Sequence, residues 1–210
     1  MGGRGVSGRI GLLGGTFDPP HIGHLWLAAL AADELELERV LFVLASQPPH
    51  KRDEVLTGAE DRAAMTRLAI ADEPRFELSR IELERPGVSY TVDTVSQLLD
   101  SGLAGDDLIL IMAADTLAEI GSWREPERLL SLVRWAVGPR PGSPGPDRDE
   151  LRTRFGPEAG RITFLAGPAL EVSSTEIRDR VAAGRTIRYL VPRAVEELIL
   201  ERRLYRHADA

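Results

Sequence analysis

The stretch R-V-L-F-V-L-A at Arg39–Ala45 offers almost nothing polar to water. A run of this kind, short and bounded by turn residues, suits a strand covered on both faces, as parallel strands are. Similar runs recur along the chain. Ile10, Leu12 and Leu13 form the first, Leu108 to Met112 another, Val133–Gly138 a further one, and Ile162–Leu165 the last. A shorter strand is expected near Arg75–Leu78, and a more polar extended piece at Ile81–Glu84. Helical segments separate them: Ile22 to Leu37, a helix running to about Ala71 that Thr57 and Glu60 can open as a capping box, and Thr91 to Ser101. A helix broken at Gly121 leads through Trp123 to Leu132, and Ser173–Ala183 and Arg193–Leu204 follow the last strand. Strand and helix alternate throughout, which predicts an α/β fold: a doubly wound, mainly parallel sheet, with a small helical part at the C-terminal side. The expected organisation is a single domain over residues 1–210, with an α/β core over 8–170 and helices over 171–210. Arg140 to Gly160, rich in proline and glycine, reads as a surface excursion with a short charged helix at Asp147–Phe155.

Composition narrows the function. The net charge of −7 argues against general nucleic-acid binding, which favours a basic surface. The absence of cysteine removes disulfides, zinc-thiolate sites and cysteine nucleophiles together, and is compatible with a reducing compartment. No apolar run reaches the length of a membrane span, and the first residues lack the apolar segment of a signal peptide, so a cytoplasmic protein without a membrane partner is expected. Lysine occurs once, at Lys51, against 25 arginines. A lysine is a compact, mobile point charge that the planar guanidinium cannot copy. Lys51 follows Pro48, Pro49 and His50 just beyond a strand's C-terminal end, where open α/β sheets place ligands.

The first strand runs into G-G-T-F-D-P-P-H-I-G-H. Gly14 and Gly15 would let the chain turn sharply and a ligand approach the backbone. His21 and His24 stand three apart at the mouth of the next helix, on one face of it, where free backbone amides attract anions. A phosphate site with two imidazoles is the reading. Zinc is disfavoured, because no third ligand is evident nearby. Asp18 could approach a magnesium ion but fits better as a turn residue. The pattern G-x-G-x-x-G at Gly3–Gly8 precedes the first strand instead of following it, so its context is wrong for a dinucleotide fingerprint. A second helix start, E-V-S-S-T-E-I-R at Glu171–Arg178, has an N-cap in Ser173 or Ser174 and a charge one turn in at Arg178.

T-F-D-P-P-H-I-G-H belongs to the T/HxGH pattern of nucleotidyltransferases. Taken with P-P-H-K, S-Y-T-V-D-T, I-M-A-A-D-T-L with a following tryptophan, and V-S-S-T-E-I-R, the chain resembles bacterial nicotinate-nucleotide adenylyltransferases over about residues 10 to 205. The resemblance implies transfer of AMP from ATP to nicotinate mononucleotide, giving deamido-NAD and pyrophosphate, with Mg2+ brought by ATP and no protein-ligated metal. It implies catalytic roles for His21, His24 and Lys51. It implies an ATP site of Gly14, Gly15, Thr16, Phe17, His21, His24, Ser173, Ser174, Thr175 and Arg178. It implies a mononucleotide site of Gly15, Thr16, Lys51, Tyr90, Thr91, Asp115, Trp123 and Arg140. Where that family usually has glycine, this chain has Ala113. Trp26 and Trp135 are assigned to packing, and Asp115 has a second role open to it as a helix cap. Pantetheine-phosphate adenylyltransferase shares the first and last motifs but not the middle ones, and a nucleotide sensor without turnover is the remaining alternative. The sequence leaves room for a homo-oligomer.

Overall fold

A computed structural model describes residues 8–47, 56–85, 87–143 and 145–206. Six strands form one parallel sheet: β1 (Ile10–Gly15), β2 (Arg39–Leu44), β3 (Phe76–Ser79), β4 (Leu108–Ala113), β5 (Arg134–Gly138) and β6 (Ile162–Phe164). Their order is β3-β2-β1-β4-β5-β6, and every pairing is parallel. The order reverses at β1, so the crevice beyond the carboxyl ends of β1 and β4 is where such a sheet takes a ligand.

The apolar runs are two-faced, as their composition requires. In β2, Val40, Phe42 and Leu44 pack on one side with helices α1 (Ile22–Glu34), α2 (Ala59–Ile70), α7 (Ser174–Ala182) and α8 (Arg193–Glu201). Leu41 and Val43 pack on the other with α3 (Thr91–Asp100), α4 (Ala114–Ala118), α5 (Pro126–Leu132) and α6 (Arg148–Phe155). Each fully buried side chain of this size contributes roughly 1.5–3 kcal/mol. A one-residue slip would exchange the two faces, so the register is strongly specified.

Several local expectations are corrected. Ile81–Glu84 is a turn, not an extended strand piece. Helix α1 ends at Glu34, because Glu36 turns into the left-handed region and Leu37 folds back into the core. Gly58, not Thr57, is the N-cap of α2, and Thr57 is used otherwise, as described below. The 140–160 excursion is not merely a surface loop: α6 buries Leu151 and Phe155, and the Phe155 ring meets the fully buried Trp135 edge-on at 5.5 Å. Asp147 and Glu150 cap that helix reciprocally. Trp135 is a packing residue, and Trp26 fastens α1 to a later loop by donating to the Pro168 carbonyl at 2.9 Å. Among the described residues no helix is long and apolar enough to cross a membrane.

One buried cation ties the strand ends together. Arg62 on α2 is 2% exposed and donates to the carbonyls of Thr16 (2.9 Å), Ala45 (2.8 Å) and Thr57 (2.9 Å). It therefore joins the loops that leave β1 and β2. Replacing it with an apolar side chain of similar length strips donors from three carbonyls, and each unsatisfied buried group costs about 1–3 kcal/mol. Arg62→Met is expected to lower unfolding stability by roughly 3–5 kcal/mol in urea titrations. A loss under about 1 kcal/mol would mean that water replaces the guanidinium.

Candidate active site

The loop from Thr16 to His21 crosses the carboxyl end of β1 and delivers the chain to α1. Gly14 and Gly15 complete β1 itself, opposite Val43 and Leu44, and neither has positive φ. The sharp turn expected of these glycines falls instead on Phe17, which is left-handed (φ 47°) and buried. Gly14 acts by omission: a Cβ there would meet nothing within 4 Å, so the space above the strand end is open. A Cβ on Gly15 would press on the Phe17 ring at 2.9 Å.

Donors from distant parts of the chain hold this loop. Arg62 takes the Thr16 carbonyl. Ser174 Oγ donates to the Pro19 carbonyl (2.9 Å), and Arg178 donates to the Asp18 carbonyl (2.8 Å). The Asp18 side chain accepts from the Thr57 amide (3.0 Å) and from the Tyr205 hydroxyl (2.6 Å). Asp18 is thus the turn residue expected, with both carboxylate oxygens engaged. The start of α7 therefore lies against the His-bearing loop, with Ser173 as its N-cap accepting the Glu176 amide and Thr175 Oγ1 accepting from Arg178. The Ser173–Arg178 motif and the first turn come together.

His21 is the N-cap residue of α1 and His24 its third helical position. Their rings stack, with centroids 3.7 Å apart, and Phe17 meets His24 edge-on at 5.1 Å. The His21 amide donates to His24 Nδ1 at 3.2 Å. A neutral His24 that accepts at Nδ1 carries its proton on Nε2, which leaves Nε2–H as the donor for a ligand. Gly23 matters here and was passed over in the sequence, although it is the glycine of the T/HxGH pattern. A Cβ on it would stand 3.0 Å from His21 Nδ1.

Both imidazoles are held neutral. Burial, and secondarily the Arg140 charge, lower His21 to about 4. Burial, then His21, then Arg140, hold His24 well below the usual histidine value. Among the described residues the fixed positive charge of the site therefore comes from arginine. Arg140 pairs with Asp115 (3.1 Å) and donates to the Val172 carbonyl (3.2 Å), so these two expected ligand residues form one unit across the ends of β4 and β5. Asp115 is not the N-cap of α4, a position that Ala113 holds; its carboxylate accepts the Thr116 amide instead. Ala113 is extended (φ −87°, ψ 161°), a conformation alanine adopts without strain. Beside this unit opens a cleft of about 510 Å³, lined by Ala114, Val137, Gly138, Pro139, Arg140 and Phe164.

The remaining expected residues gather at a second edge. Tyr90 is the N-cap residue of α3 and Thr91 its first helical residue, and the Tyr90 side chain makes no capping hydrogen bond to the helix. Ser89, another residue without a sequence signal, is buried and links this helix start to the loop after β2: its Oγ accepts the Ser46 amide (3.1 Å) and its amide donates to Gln47 O (3.1 Å). Arg124 stands 4.8 Å above the Tyr90 ring and 3.5 Å from Asp93, which brings the Trp123 segment beside α3. Trp123 is partly buried against the same core cluster as Tyr90. Lys51 and His50 lie outside the described residues. Among those described, no group of three or more His, Asp or Glu residues is placed to hold a metal ion.

A parallel sheet with this strand order, opening at β1 onto stacked imidazoles and a helix N-terminus, defines an α/β nucleotide-binding protein of the nucleotidyltransferase class. The cytidylyltransferase-like family model matches residues 12–180. The probable nicotinate-nucleotide adenylyltransferase of Acidothermus cellulolyticus is 43% identical over 209 residues, 98% of each chain, and that of Roseiflexus sp. is 46% identical over 95% of this chain and 99% of its own. The chain belongs to the nicotinate-nucleotide adenylyltransferase family. Its fold is also that of the Plasmodium falciparum nicotinic acid mononucleotide adenylyltransferase solved with NaAD (TM-score 0.78, 18% identity, covering 94% of this chain and 97% of that one).

The depressed histidines make stability depend on pH. The unfolded chain takes up these protons near pH 6.5, whereas folded His21 does so only near 4. The unfolded state binds more protons between those values, so stability falls as pH drops through that window. From pH 7 to pH 5 the loss expected from His21 is roughly 2 kcal/mol, and His24 adds to it in the same direction. The measurement is the urea-unfolding difference between wild type and a His21→Gln/His24→Gln protein at the two pH values. Equal pH dependence in the two proteins would show that the histidines titrate normally.

Proposed function

We propose that the chain transfers AMP from ATP to nicotinate mononucleotide, releasing pyrophosphate and forming deamido-NAD. The observation that carries this reading is the neutral, stacked His21–His24 pair on a helix N-terminus with α7 docked against the same loop. The mononucleotide phosphate oxygen attacks the α-phosphorus, and the bond from that phosphorus to the bridging oxygen of the leaving pyrophosphate breaks. The substrate carries the nucleophile, so the protein's task is positioning and stabilising charge on phosphoryl oxygens. His24 Nε2–H is the donor assigned to the α-phosphoryl oxygen, because its other nitrogen is taken by the His21 amide. A neutral donor gives a hydrogen bond that strengthens as charge develops, without the ground-state binding a fixed cation would add. His21, Gly14, Gly15, Thr16 and Phe17 complete that wall. Ser173, Ser174, Thr175 and Arg178, with the amides that begin α7, face the β- and γ-phosphates.

The acceptor side is assigned to Tyr90, Thr91, Asp115, Trp123 and Arg140. The amides that begin α3, which the Tyr90 side chain does not cap, suit a nicotinate carboxylate, which favours the acid over the amide. Trp123 is assigned to stack on the pyridine ring, and Lys51 to neutralise phosphate charge. Mg2+ bound with ATP supplies further charge neutralisation; Asp18 already accepts two hydrogen bonds and Asp115 is paired, so the ion is expected to arrive on the triphosphate. ATP and the mononucleotide are the partners this reading requires, and the cytoplasm is its proposed compartment.

Pyrophosphate release tests the reading when ATP is offered with nicotinate mononucleotide, nicotinamide mononucleotide or phosphopantetheine. Nicotinate mononucleotide is expected to turn over fastest. Turnover with phosphopantetheine alone overturns the proposal, and binding without pyrophosphate release would favour a sensor. His24→Ala is expected to lower kcat by on the order of a hundredfold to a thousandfold in a folded protein. An unchanged kcat removes His24 from the mechanism. Trp123→Ala is expected to raise KM for the mononucleotide by about tenfold, with KM for ATP little changed. An unmoved mononucleotide KM would end the stacking assignment.

A further inference from the structure

Asp18 is only 2% exposed, and its carboxylate looks inward. Oδ2 accepts the Thr57 amide and Oδ1 accepts the Tyr205 hydroxyl at 2.6 Å, the length of a charge-assisted bond. Tyr205 sits in the turn that follows α8, 187 positions further along the chain. Its backbone is left-handed (φ 62°), an uncommon conformation for a bulky residue that the surrounding packing must hold in place. Burial and the neighbouring Asp18 raise the phenol well above its ordinary pKa, so it remains a donor at any working pH. The Thr57 side chain also hydrogen-bonds the phenol, and the Met65 sulfur lies 3.6 Å from the hydroxyl.

The residue next to Asp18 in the chain is Phe17, whose ring edge abuts His24. Removing the Tyr205 O–H takes from a buried carboxylate oxygen the donor it has among the described residues, a costly arrangement. The carboxylate regains a full set of partners by turning toward water, and that rotates the Asp18–Phe17 segment and withdraws the ring from His24. Arg62 and Arg178 cannot prevent this, since they hold the carbonyls of Thr16 and Asp18 and not the carboxylate.

We propose that Tyr205 is a positioning residue: its hydroxyl, acting through Asp18, holds Phe17 against the His24 ring and so fixes the donor that meets the transferred phosphoryl group. The inference rests on the AMP-transfer reading above. A purely structural Tyr205 would add to melting temperature and nothing else.

The test compares wild type, Tyr205→Phe and Met65→Leu. Met65→Leu changes the packing around the phenol with nearly conserved volume and leaves the Asp18 bond in place. Each protein is assayed roughly 20 °C below its own Tm, so that unfolded material does not enter kcat. Tyr205→Phe is expected to lower kcat about tenfold while both KM values stay within about twofold, and Met65→Leu is expected to match wild type. The second readout is the His24 imidazole titration, followed by NMR in the ligand-free protein. The groups facing that ring are stacked His21, the Phe17 edge and the Arg140 charge. In Tyr205→Phe the midpoint is expected to move up toward 6.5 as water reaches the ring. The proposal stands if kcat falls and the His24 midpoint rises together. Wild-type kcat, a fall in kcat with the His24 titration unmoved, or a change in Tm alone overturns it. If wild type itself fails to transfer AMP, the functional reading fails, and the His24 titration alone then decides whether Tyr205 positions the ring.

Discussion

The geometry of the site depends on four backbone and side-chain acceptors in six residues, Thr16 to His21, being met by donors that come from elsewhere. The Thr16, Asp18 and Pro19 carbonyls and the Asp18 carboxylate are taken by Arg62, Arg178, Ser174, Thr57 and Tyr205. A loop of this length has no ladder of its own to satisfy its polar groups, and a buried one must borrow partners. Two of these donors are guanidinium groups. A planar fork can reach several acceptors at fixed angles, which a single ammonium cannot. The scarcity of lysine in the composition is therefore matched by arginine in structural positions, with Arg62 the clearest case.

With the loop fixed, the electrostatics follow. His21 is buried and His24 partly so, with the Phe17 ring edge-on against His24, and this loss of solvent is the main cause that holds both imidazoles neutral. Gly23 permits the stack by lacking a side chain. The Arg140–Asp115 pair then sets a charge of each sign beside the open cleft, which Arg140 lines.

The sheet was legible because two-faced apolar runs such as Val40–Ala45 have few alternatives to a buried parallel strand. The paired helix starts at His21 and Ser173 were legible because their motifs are local, and local motifs survive without knowledge of contacts. What the sequence hid was long-range. Arg62 looks like any helical surface arginine until the carbonyls of Thr16 and Ala45 appear beside it. Tyr205 has no neighbouring signal at all. The glycines at 14 and 15 drew attention to a turn that the structure assigns to Phe17, because packing against Phe42 and His24 outweighs the local cost of positive φ. The charged helix at 147–155 was legible, but not that it buries Leu151 and Phe155, because a charged octapeptide with two apolar residues gives a weak pattern.

The sequence separations in the loop clamp have a kinetic consequence. The bonds from Ser174, Arg178 and Tyr205 span 155, 160 and 187 positions. Contacts that distant form only after most of the chain is ordered. During synthesis, a ribosome that has released β1 and α1 has made both histidines but not the support that holds their rings. If the triphosphate is held as proposed, by this loop together with α7, a half-made chain neither sequesters nor splits ATP.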